Sequence, residues 1–200
     1  MKVVVAISAL VLLLTVVECF DDKYDIRFLP YDLRPVKNLV GVWRYYGYRG
    51  SPPNIVKPPF LMDFGINPIP KFGARVLNLT STFYDDNQNV NKTDFALLPV
   101  KNATRRDRRV HAALLTSSSD GYTLMEQGLV TGSMRNTRLR LHLKKFLARS
   151  FGVGGIPQGD LTIDGLEREI LVNDKGRMQF TLQAITSDGQ DDYTATYYRI

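Results

Sequence analysis

Cysteine is nearly absent: the 200 residues contain one, Cys19, along with one tryptophan and two histidines. Cys19 falls inside or beside an N-terminal segment expected to be removed, so the mature domain carries no thiol. Disulfides, cysteine-based metal sites and thiol nucleophiles are thereby excluded. The shortage of histidine is nearly as restrictive. Neither His111 nor His142 has a Gly-x-Ser-x-Gly neighbour or an obvious carboxylate to orient it, and no His, Cys or acid cluster has zinc-site spacing. The adjacent acids Asp85-Asp86 and Asp191-Asp192 would point to opposite faces of a strand, which suits turns and caps. No apolar run reaches the ~20 residues of a membrane span. The net charge of +6 comes without any nucleic-acid recognition motif. Helical periodicity is also scarce.

What is present begins with Met1-Lys2 and an apolar run from Val3 to Val17, closing in Glu18-Cys19-Phe20. This is the pattern of a signal peptide cleaved before Phe20. The expected organisation is a signal segment over 1–19, an extended leader over 20–32 and one domain over 33–200. Three sequons, at Asn78, Asn91 and Asn102, fit a secreted, extracellular glycoprotein. Basic residues bunch over Arg105–Arg109 and again from Arg135 to Arg149. They read as a solvated turn and a polar strand face, or as an attraction for an anionic ligand or surface.

Alternation organises the rest. A short helical lead-in turn precedes a strand carrying Leu39, Gly41, Trp43, Tyr45 and Gly47 on one parity, and a breaker-rich loop follows over Arg49–Asn54. Further strands are predicted over Ala74–Phe83, Phe95–Val100, Arg109–Thr116 and Tyr122–Gln127, with Gly128 and Gly132 marking a bend or bulge. In Arg138–Lys144 three leucines face one side and four cationic or imidazole groups the other. After the glycine-rich connection Phe151–Pro157 come Ile163–Val172, Met178–Ala184 and Tyr193–Arg199. Eight to ten short strands with almost no helix predict an all-β antiparallel barrel or sandwich.

The motif Leu33-x-Pro35-Val36-x-x-Leu39-x-Gly41-x-Trp43-Arg44, the loop through Gly50 to Pro53-Asn54-Ile55, Tyr122–Gly128, Leu166-Glu-Arg168-Glu, Gly176-x-Met178-x-Phe180-x-Leu182-x-Ala184 and Tyr193-x-Ala195 together resemble the nitrobindin family, the haem-binding domain also found at the end of a THAP zinc-finger protein. The resemblance implies a closed antiparallel barrel of about eight to ten strands, lipocalin-like or fatty-acid-binding-protein-like. It also implies haem b on a proximal histidine of the last strand and chemistry on nitric oxide and peroxynitrite. The chain departs from the pattern there: the histidine position falls on Asp192, or Asp191 if the preceding turn is shorter, and a second family histidine falls near Asn91.

The expectation drawn from this is a secreted carrier of a hydrophobic or amphipathic molecule, fatty-acid-like or porphyrin-like, that has lost the iron ligand. The resemblance and the loop nominate Trp43, Pro53, Asn54, Ile55, Asn91, Ala184 and Asp192 as pocket residues. Arg138, Arg140 and Arg199 are candidates on parity to pair with a ligand carboxylate. A haem enzyme is the alternative, and would need Tyr193, His111 or His142 to reach the iron. A third possibility is an extracellular interaction module that uses surface tyrosines, Tyr45, Tyr46, Tyr48, Tyr197 and Tyr198.

Overall fold

The computed structural model describes residues 22–53, 55–67, 75–85, 87–133, 135–148 and 162–200. The expected signal segment, Asn54, Asp86 and the connection at 151–157 lie outside the described residues. Ten strands run in chain order: β1 (Gly41–Gly50), β2 (Leu61–Ile66), β3 (Val76–Tyr84), β4 (Val90–Lys101), β5 (Val110–Ser118), β6 (Thr123–Gly132), β7 (Asn136–Leu147), β8 (Ile163–Asn173), β9 (Arg177–Thr186) and β10 (Gly189–Arg199). Each pairs antiparallel with its sequence neighbour, and β1 pairs with β10, so the sheet closes into a barrel. Closure removes the edges that an open sheet would have to protect.

Alternation makes the barrel two-faced. On β9, Met178, Phe180, Leu182, Ala184 and Thr186 are buried, while Gln183 and Ile185 between them are exposed. On β7, Thr137, Leu139 and Leu141 point inward and Arg138 and Arg140 outward. The register of β7 against β6 slips between Met125 and Glu126, so that Met125 opposes Lys145 and Glu126 opposes Leu143, leaving Lys144 as the extra residue. This bulge accounts for the break in the alternation after Lys144, and it restores Phe146 to the inner face opposite Leu124.

Three features depart from the sequence reading. Strand β2 was not foreseen, because Phe64, Gly65 and Ile66 are buried in succession and erase the alternating signal. Gly128 is not the site of a register shift; it lies mid-β6, paired with Ala112 and Leu141, where an added Cβ would come within 1.7 Å of the Arg140 carbonyl oxygen. Residues 22–28, expected as part of an extended leader, coil into two 3-10 turns.

The lead-in turn is a longer 3-10 segment, Tyr31–Leu39, and it forms the floor of the barrel. Leu33, Val36 and Leu39 are fully buried. Polar contacts fix the plug in place. The Trp43 indole N–H donates to the Leu39 carbonyl at 2.7 Å, Thr137 Oγ1 donates to the Pro35 carbonyl at 3.3 Å, and the Arg199 guanidinium donates to the Asn38 carbonyl at 2.8 Å. Leaving the buried Leu39 carbonyl without its donor would cost about 1–3 kcal/mol.

Candidate functional site

Above that floor the inner faces of the strands leave a cavity of about 940 Å³. Its walls are apolar at Leu79, Ala96, Leu124, Leu166, Phe180 and Leu182. The opposite end is crossed by residues 55–60, and three inward side chains of β10 hold this strap. The Asp191 carboxylate accepts from the backbone N–H groups of Ile55 (2.9 Å) and Val56 (2.6 Å). The Tyr193 hydroxyl donates to the Val56 carbonyl at 2.9 Å, and the Tyr197 hydroxyl donates to the Pro59 carbonyl at 2.8 Å. A proline-rich segment suits this task, since Pro58 and Pro59 need no N–H partner and have restricted φ.

Two polar groupings interrupt the apolar wall. Near the mouth, Lys92 lies 3.1 Å from Asp120 and 3.7 Å from Asp94, with its ammonium 4.7 Å from the ring centroid of Tyr122 and 4.9 Å from that of Phe83. Burial pulls the Lys92 pKa down, but Tyr122, Asp94 and Asp120 outweigh it and the net direction is upward. Burial pushes the Asp94 carboxyl up, partly offset by Lys92. Deeper in, Arg168 Nε lies 3.1 Å from Glu126 Oε1. Glu126 is 0% exposed and does not border the cavity, whereas Arg168 does, with its guanidinium carbon 5.3 Å from the Phe180 ring centroid. Burial raises the Glu126 carboxyl, against the pull of Arg168. Most described buried side-chain atoms that lack an aligned hydrogen-bond partner belong to Asp94, Thr116, Glu126 and Arg168. Such orphaned polar atoms are rare in folded proteins, and their concentration around one hollow marks it as the site.

The nominated pocket residues divide. Pro53 and Ile55 border the cavity, and Asn91 does so as an exposed residue at its rim, where a glycan would have room. Ala184 is buried on the inner face of β9 but does not border the hollow. Trp43 is fully buried beside the floor, outside the cavity lining. The three arginines chosen on parity are corrected. Arg138 and Arg140 point outward to Glu169 (2.8 Å) and Glu167 (3.4 Å), because the leucines between them take the inner face. Arg199 covers Trp43 on the outside, 4.6 Å from the ring centroid. Asp192 is also corrected: it is exposed and accepts from Gln183 at 3.3 Å, while Asp191 faces inward. Among the surface tyrosines, Tyr46, Tyr48 and Tyr198 are exposed, but Tyr197 is buried and Tyr45 borders the cavity. Of the other sequon residues, Asn78 is half-buried and the Asn102 side-chain amide donates to the Asp32 carbonyl at 3.1 Å.

The donor set does not fit haem iron. His111 and His142 both lie on outer faces, His111 at 2.7 Å from Asp107 and His142 at 3.3 Å from Glu167. Tyr193 faces inward, but its hydroxyl is engaged by Val56 and burial pushes its pKa well above the usual phenol range, which disfavours the phenolate an iron would need. Among the described residues no group of three or more His, Cys, Asp or Glu is placed to hold a metal ion.

Arg168 and Glu126 were not singled out as site residues. The signal was present: each is a charged residue at a position whose i±2 neighbours on the same strand are apolar, Leu124 for Glu126, and Leu166 and Ile170 for Arg168. Among the described residues no helix is long and apolar enough to cross a membrane. No protein-family profile matches the sequence and no curated protein matches it. Among solved structures the chain is similar to the crystal structure of Rv2717c from M. tuberculosis, with a TM-score of 0.57 and 16% identity, covering 86% of this chain and 99% of that one. At that identity the likeness shows a shared architecture, the closed β-barrel, and nothing finer.

Proposed function

We propose that this protein binds a hydrophobic or amphipathic small molecule inside its barrel and acts as a carrier. The observation that carries the reading is the cavity of about 940 Å³, floored by the chain's own 31–39 segment and lined by apolar groups with few charged ones. That volume lies within the 300–1,000 Å³ typical of small-molecule sites, and a mixed wall of this kind is their usual chemistry. Catalysis is not part of the proposal: at the cavity Lys92 is paired with Asp94 and Asp120, Arg168 stands against Glu126, and the Tyr193 hydroxyl is spent on the strap. The N-terminal apolar run and the three sequons support a secreted glycoprotein, and the motif order supports kinship with nitrobindin-like barrels. The outward histidines argue against the haem chemistry of that family. Native mass spectrometry of protein purified from secreting cells tests the carrier reading: a co-purifying small molecule, or saturable displacement of an environment-sensitive apolar dye, is the expected result. Absence of both would refute it. A hemin titration separates the alternatives, because a saturable one-to-one Soret shift would restore the haem reading.

A further inference from the structure

Resting on the lumen-binding reading above, we propose that Arg168 is the head-group anchor for an acidic amphipathic ligand, and that Glu126 holds this guanidinium in the empty barrel and takes up a proton when a ligand carboxylate takes over the pairing. The placement of the pair supports this. Arg168 borders the cavity and Glu126 lies behind it, fully buried. An arginine has five N–H donors. Nε lies 3.1 Å from Glu126 Oε1 without an aligned hydrogen bond, and among the described residues no hydrogen bond engages the rest of the guanidinium. The free fork is therefore presented to whatever fills the hollow, and its planar donors match a carboxylate in bidentate geometry. A buried ion pair gains little over a well-packed apolar pair of the same volume, so stability alone does not account for one inside an otherwise apolar wall.

Charge balance supplies the second half. The strands flanking Glu126 contribute Leu114 from β5 and Leu143 from β7 opposite it, and neither titrates. Two strands away on either side stand Arg168 on β8 and Asp94 and Lys92 on β4, and the inner face of β10 carries Tyr193 and Tyr197. If a ligand carboxylate draws Arg168 forward, Glu126 keeps no cation within reach. An unpaired carboxylate that deep neutralises itself, and the proton comes from solvent. The exchange balances: one anion enters, one proton follows, and the buried charge is unchanged.

The test compares hexadecanoate, hexadecanol and hexadecylamine on the purified protein by calorimetry in two buffers of different ionisation enthalpy. The acid should bind about ten- to a hundredfold more tightly than the alcohol, with uptake of about one proton per ligand. Glu126→Gln should still bind the acid but lose the proton uptake, whereas uptake surviving in that variant would assign it to Asp94 and overturn the role of Glu126. Equal affinity for acid and alcohol, or tighter binding of the amine, would overturn the anchor while leaving the carrier reading intact. Failure of all three probes to bind would instead count against lumen binding itself. The head-group series uses the unmodified protein, so it decides the anchor even if the variant does not fold.

Discussion

The pair of Glu126 and Arg168 permits a double-mutant cycle whose outcome is set by geometry. At 3.1 Å and an effective permittivity of about 20, the attraction is about 5 kcal/mol. The desolvation penalty is several kcal/mol per ion, so the two nearly cancel. Replacing Arg168 by Met alone leaves Glu126 buried without its cation, which should destabilise the fold by about 3–5 kcal/mol at neutral pH. Replacing both, with Glu126→Leu and Arg168→Met, should be neutral or stabilising by about 1–4 kcal/mol. The pH dependence has a definite sign. Burial already raises the folded-state Glu126 carboxyl above 4.5, and removing Arg168 removes the group that lowers it. A carboxyl whose folded pKa is raised contributes stability that is complete below its unfolded value and lost as pH rises through the folded one. The Arg168→Met deficit should therefore shrink as pH falls toward about 4.5. Urea unfolding followed by tryptophan fluorescence reads this directly, since Trp43 is buried beside the floor. A double variant as unstable as Arg168→Met, or a deficit that grows on acidification, would refute the reasoning.

Other perturbations test other parts of the molecule. Asp191→Ala removes the acceptor of two strap N–H groups, and should cost about 1–3 kcal/mol locally; faster hydrogen exchange at Ile55 and Val56 with unchanged exchange in β8 and β9 is the expected signature. Gly128→Ala drives a methyl against the Arg140 carbonyl, so the β6–β7 ladder must part and thermal unfolding should fall by many degrees. Trp43→Phe forfeits the bond to Leu39 and the stacking of Arg199, a loss of about 1–3 kcal/mol measurable by denaturant titration. The double replacement of His111 and His142 by Ala should leave ligand affinity unchanged within error, because both rings face outward.

The barrel itself was largely legible in the chain. Period-two alternation in β7, β9 and β10 and the turns between them specify paired strands whose inner faces are apolar, and Gly50, Gly132, Gly176 and Gly189 mark strand ends. Strand β2 escaped because consecutive burial of Phe64, Gly65 and Ile66 hides the period that exposes a strand to view. The site was less legible for a related reason. Parity tells which residues share a face but not which face is inside, and the arginines of β7 were assigned to the lumen although their leucine neighbours had the stronger claim to it. Once the leucines face in, Arg138 and Arg140 must face out, and by the same rule Arg168, flanked two residues away by Leu166 and Ile170, must face in. Asp191 and Asp192 show the limit of counting along a sequence: adjacent acids have opposite fates, one fastening the strap and one solvated, and only the register of β10 against β9 separates them.

The 3-10 segment that floors the barrel makes the vessel a blind one. Among the described residues that end is stopped by the buried side chains of Leu33, Val36 and Leu39, so on the carrier reading a guest would arrive and depart at the end crossed by residues 55–60. Exchange would then be sequential, one occupant leaving before the next is admitted, and residence time would follow the release of the contacts that Asp191, Tyr193 and Tyr197 make to that segment.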